Sequence, residues 1–131
     1  MAIFANELIP NILICIVAII HLWFLILEML LWRQPVVQKQ LEKLKQDHTW
    51  SNEELMARLA ANQGFSNGIL MAGLIWGLLA TQASFAIKVF FLVSIICAGL
   101  LGGLTVKRSI WLFQLLPAML ALVALWLNHR A

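Results

Sequence analysis

The sequence predicts an all-α integral membrane protein, an antiparallel four-helix transmembrane bundle with one short amphipathic helix at the membrane interface. Three observations carry this expectation. Of 131 residues, 63% are hydrophobic and 11% charged, with a mean hydropathy of +0.91, whereas soluble domains carry roughly 25% charged residues. The apolar residues gather into four stretches of about 20, the length a helix needs to cross a hydrocarbon core. The charged residues fall mostly between those stretches. The four stretches use nearly the whole chain, so a single membrane domain over 1–131 is expected, with no room for a soluble catalytic domain.

The first span is expected over about 8–32, with Pro10 in its first turn, where a missing backbone N–H costs nothing. It lacks a basic leader and a small-residue cleavage site, and reads as a retained span rather than a signal peptide. The following loop contains "QPVVQKQLEKLKQD", in which Val37, Leu41 and Leu44 recur at helical spacing between charges. This predicts the interfacial helix, over about 36–46. His48, in the same loop, is expected to be solvated. "WSNEEL" offers Ser51 as an N-cap with Glu54 three residues on, a capping box that starts the helix carrying the second span, about 56–80. The third and fourth spans are expected over about 84–106 and 110–127. Short connections on both sides of the third span predict antiparallel neighbours.

Arg33, Lys39, Lys43, Lys45 and Arg58 lie between spans one and two, and Lys107 and Arg108 between three and four, against only Lys88 and Arg130 on the opposite side. The positive-inside rule then places the 33–55 loop in the cytoplasm and both termini outside, in a bacterial inner membrane. Trp32, Trp50, Trp111 and Trp126 form the corresponding interfacial belts. Cys15 and Cys97 sit in separate spans and are expected to be unpaired, buried small residues.

Counting inward from the cytoplasmic ends at about 1.5 Å per residue brings Glu28, Asn62, Gln63, Asn67 and Gln114 to one layer. His21 lies roughly 10 Å beyond Glu28 on the same helical face, because seven residues bring an α-helix back to within about 20°. Leu25 stands between them. Ser66 belongs to the polar face of the second span, and Gly64 and Gly68 to its small-residue face, a GxxxG step suited to close packing. Gly73 and Gly77 continue the polar face outward, towards either a closely packed helix or free volume. Ser94, Ala98, Gly102 and Thr105, with Gly99 and Gly103, give the third span a small-residue face. Pro117 frees the carbonyl of Phe113 beside Gln114.

"HLWFLILEMLLW", "LAANQGFSNGILMAGLIWGL", "AGLLGGLTVKR" and "FQLLPAMLAL" resemble the signature blocks of the bacterial membrane-protein family known as domain of unknown function thirteen-zero-four. The resemblance covers most of the chain. It implies a compact four-helix membrane protein in which His21, Glu28, Asn62, Gln63, Asn67, Gln114 and Pro117 occupy motif positions. The family often has a tyrosine where this chain has Ser66, a departure that would enlarge or rehydrate a pocket there. No activity is implied.

Three function classes fit. The first is binding, with or without transport, of a small molecule or lipid in an intramembrane pocket lined by His21, Glu28, Asn62, Gln63, Ser66, Asn67 and Gln114. The second is a membrane-embedded isomerase or hydrolase of a lipophilic substrate with His21 and Glu28 as acid and base. The third is a structural or accessory protein in which the polar layer only joins helices. No cofactor or metal is expected, since one imidazole and one carboxylate seven residues apart make a poor ligand set. The expected partners are membrane lipid, a small-molecule or lipid ligand, and a second copy of the chain through glycine-rich faces. Nucleic acid is not expected.

Overall fold

The computed structural model describes residues 7–30, 39, 42 and 53–130. Helix α1 spans Leu8–Leu25 and runs on into a π-helical turn, Ile26–Leu30; α2 spans Glu53–Leu79 and α3 Ser84–Thr105. A second π-helical turn, Trp111–Leu115, leads into α4, Leu116–Arg130. No strand occurs among the described residues. Of the interfacial helix expected over 36–46, only Lys39 and Glu42 are described, both helical. Ser51, His48, Trp32 and Trp50 lie outside the described residues.

Among the described residues, three segments are long and apolar enough to cross a membrane: Leu8–Leu30 with 23 residues, Ser84–Thr105 with 22, and Trp111–Arg130 with 20. At about 1.5 Å per residue they match a hydrocarbon core of about 30 Å. Helix α2, with 27 residues, is long enough, but Asn62, Gln63, Ser66 and Asn67 dilute its first half and it is not one of the three. The apolar surface is turned outward: Ile9, Phe90 and Leu104 are 68%, 66% and 68% exposed. A water-soluble chain rarely leaves so much apolar surface uncovered, whereas lipid is the natural solvent for it.

The described chain divides into two compact units, one of residues Met1–Ile20 and Leu70–Ala131, the other of His21–Ile69. In the first, Ile14, Val17 and Ala18 of α1, Leu74 of α2, Leu92 and Ile95 of α3, and Ala118, Ala121 and Leu125 of α4 form one buried core. Their spacing of three or four residues puts one stripe of each helix inward. Glycines set how closely the helices approach. A Cβ on Gly99 would come within 3.0 Å of the backbone N of Leu115, and a Cβ on Gly103 would overlap the Trp111 indole. The Gly73 and Gly77 alternatives resolve to close packing, against the Phe91 ring and the Lys88 stem respectively.

The α2–α3 connection is tight. Ala83 takes a left-handed backbone (φ 55°, ψ 15°), and Ser84 Oγ donates to the carbonyl of Gly77 at 2.7 Å, satisfying one acceptor at the end of α2. In the second unit, the Gly64–Gly68 face of α2 lies on the end of α1. A Cβ on Gly64 would come within 2.7 Å of Met29 Cγ, and one on Gly68 within 2.5 Å of Leu25 Cδ1. Each of the seven glycines thus meets a neighbour inside the chain. Cys15 and Cys97 are free, but they lie on exposed helix surface rather than in the core. Their small polarisable thiols suit a lipid-facing position as well as a buried one.

Candidate functional site

Glu28 occupies the third position of the π-helical turn Ile26–Leu30. A π-turn inserts an extra residue into the helical register, so Glu28 departs from the α-helical phase that would stack it under His21. The seven-residue alignment assumes a regular α-helix, which α1 keeps through Leu25. Across from the π-turn, Gly64 lets α2 approach to where a Cβ would stand 3.0 Å from Glu28 Cβ. That approach brings Asn67, which is 3% exposed, into reach. Its Nδ2–H donates to Glu28 Oε2 at 2.8 Å. An oxygen of either a carboxylate or a carboxylic acid can accept this bond, so the amide serves both protonation states.

The other predicted residues take different positions. His21 is fully buried and makes an edge contact with Phe24, ring centroids 6.2 Å apart at 76°. Ser66 directs its hydroxyl to the carbonyl of Asn62 at 3.0 Å, one turn back along its own helix. Asn62 and Gln63 are exposed on α2. Gln114 is buried in the first unit, in the π-helical turn Trp111–Leu115. Leu116 N–H bonds to Trp111 O across that turn, so the chain enters Pro117 through a widened register. Among the described residues, no group of three or more His, Cys, Asp or Glu side chains could hold a metal ion.

A second polar constellation lies in the first unit. Lys88, counted by the charge pattern among the outer flanking cations, is instead 2% exposed. Its Nζ donates to Glu7 Oε2 at 2.8 Å and to Asn11 Oδ1 at 2.9 Å. Glu7 and Asn11 stand four residues apart and so share a helical face. Gly77 makes room for the lysine stem, since a Cβ there would come 2.9 Å from Lys88 Cγ. The signal in the sequence was a lysine one turn inside an apolar span, a Glu/Asn pair at i, i+4 beginning another, and a glycine opposite.

Two cavities on the first unit are lined by other residues. One, of about 400 Å³, lies among Val89, Val93, Leu122, Val123, Trp126 and Leu127; another, of about 370 Å³, runs along the start of the last span from Arg108.

The profile of one family, described as Protein of unknown function (DUF1304), matches residues 15–126. No curated protein and no solved structure matches the chain.

Proposed function

We propose that this chain, which belongs to the DUF1304 family, is a multi-pass inner-membrane protein that binds a small molecule or lipid through an intramembrane polar site centred on Glu28 and Asn67. In this reading α2 is the fourth span, the 33–55 loop is cytoplasmic, and His21, Asn62, Gln63 and Ser66 contribute to the ligand site. The observation that carries the reading is the Glu28–Asn67 bond at 2.8 Å, made on a π-turn inside an apolar span. Ionisable groups in spans are costly and mark functional positions, and π-turns are frequent at functional positions. Packing alone would be served as well by a leucine. Glu28 also gives the site a titratable charge, the minimum needed to couple ligand movement to a proton.

The test is to identify what copurifies. Wild-type protein, Glu28→Gln and Asn67→Ala are purified in mild detergent, and extracted lipids and metabolites are compared by mass spectrometry, with Cys97→Ser as a control. A species enriched on wild type and on the control should fall in both site variants by about tenfold or more, the factor that losing a hydrogen bond of about 1.5–3 kcal/mol to a charged group implies. Identical profiles in all four proteins would sink the reading.

A further inference from the structure

We propose that the groove at the start of the last span is a binding site for an anionic phospholipid. The groove is lined by Arg108, Trp111, Leu112, Leu115, Leu116 and Met119 and encloses about 370 Å³, within the range of small-molecule sites. Arg108 stands at one end and Met119 eleven residues further on. At about 1.5 Å per residue that is about 16 Å, half of a hydrocarbon core of about 30 Å. The groove therefore has the length of one leaflet, with a cation at one end and an apolar wall along the rest.

Its wall is built. Trp111 Nε1 donates to the carbonyl of Leu100 at 3.2 Å, and its indole occupies the notch left by Gly103. The indole is thereby held against α3, and an aromatic residue beside the cations that flank a span is the usual mark of the membrane interface. Arg108 lines the groove with Trp111, and Arg108 and its sequence neighbour Lys107 are both exposed. The sequence contains no acidic residue after Glu54, so neither cation has a carboxylate partner within its own half of the chain. A guanidinium offers a phosphate two parallel donors. A headgroup with net negative charge matches the pair of cations, whereas a zwitterionic headgroup brings its own ammonium into the same place. The other end of the span repeats the pattern: the Arg130 guanidinium lies 5.2 Å from the centre of the Trp126 ring, and Trp126 lines the groove of about 400 Å³.

The full-length protein, delipidated in detergent, is mixed with equal amounts of phosphatidylglycerol and phosphatidylcholine of identical chains, and adducts are counted by native mass spectrometry. Phosphatidylglycerol should be preferred. Each cation near a membrane surface contributes about a fivefold preference for anionic lipid, so Lys107→Gln with Arg108→Gln should lower the ratio by roughly 25-fold. Arg108→Lys should retain most of it. Leu116→Trp, which fills the groove and keeps both cations, should reduce adducts of both lipids, while Ile19→Trp on α1 should not. Equal binding of the two lipids by wild type would overturn the proposal, as would an unchanged ratio in the glutamine variant. Should the glutamine variant fail to fold, the Leu116→Trp and Ile19→Trp pair decides: equal adduct loss in both, or none in either, rejects the groove. A dimer in wild type that Leu116→Trp converts to monomer would assign the groove to a second copy instead and reject lipid.

Discussion

Removing one partner of the Lys88 constellation should cost far more than removing the other. In Glu7→Gln the ammonium of Lys88, 2% exposed, keeps only amide oxygens as acceptors. Breaking a buried pair in this way costs about 3–5 kcal/mol; because the Glu7 side chain is 25% exposed, water can reach that end and the lower figure, about 3 kcal/mol, applies. In Lys88→Met the buried charge itself is gone, an apolar chain of similar length fills the same space beside Gly77, and Glu7 can turn towards water. Replacing a buried charge by a packed apolar residue is neutral or stabilising, so this variant should lie within about 1 kcal/mol of wild type. The double variant should resemble Lys88→Met, giving a coupling energy of about 2–3 kcal/mol. The assay is reversible unfolding by denaturing detergent in mixed micelles, followed by tryptophan fluorescence, for all four members of the cycle. If Lys88→Met loses as much stability as Glu7→Gln and the double variant is worse than either, the ion pair is not the energetic unit. The lysine would then matter for how its stem packs on Gly77.

Two further outcomes follow from backbone geometry. Ala83→Gly should stabilise the protein by about 0.5–1 kcal/mol in the same assay, because relief of a left-handed alanine, about 1–2 kcal/mol, outweighs the entropy that glycine adds to the unfolded chain; a loss of stability would contradict the left-handed assignment. Gly103→Ala should destabilise by about 1–3 kcal/mol, the cost of forcing a packed side chain aside, and should shift the Trp111 fluorescence isolated by replacing the other tryptophans, whereas Gly102→Ala, whose Cβ would meet the Ile110 side chain at 3.2 Å (Cγ2) and 3.4 Å (Cδ1), should cost less and leave that fluorescence unshifted.

The helices were legible in the sequence because hydrophobic length is a property of composition. Three of the apolar stretches are apolar helical segments among the described residues, and the last includes the closing turn "NHR", which is polar yet still helical. The Glu28–Asn67 contact was approachable by depth counting, since both residues lie a short way from charged ends. The Lys88 constellation was not, because a lysine near a helix end reads first as a flanking charge for orientation. Its depth becomes apparent only when Glu7, Asn11 and Gly77 are considered together. Ser66, Ser94 and Thr105 all return their hydroxyl protons to carbonyls four residues back, which is the ordinary fate of such side chains in apolar helices.

The two π-helical turns were invisible to hydropathy, because an extra residue in the hydrogen-bond register changes no composition. Each nevertheless holds one of the polar residues that the sequence singled out, Glu28 in Ile26–Leu30 and Gln114 in Trp111–Leu115. In a regular α-helix the phase of every side chain follows from the residues before it, so one helix cannot aim both its apolar stripe and an off-phase polar group. A π-turn breaks that dependence at the cost of a weaker backbone register, tolerable in lipid only where the irregular backbone is shielded. In α1 the stripe Ile14, Val17 and Ala18 serves the core of one unit, while three residues into the π-turn Glu28 meets Asn67. For Gln114 the order is reversed, the π-turn coming first and the stripe Ala118, Ala121 and Leu125 after it. Polar groups on a π-turn and apolar packing stripes thus occupy successive stretches of the same span.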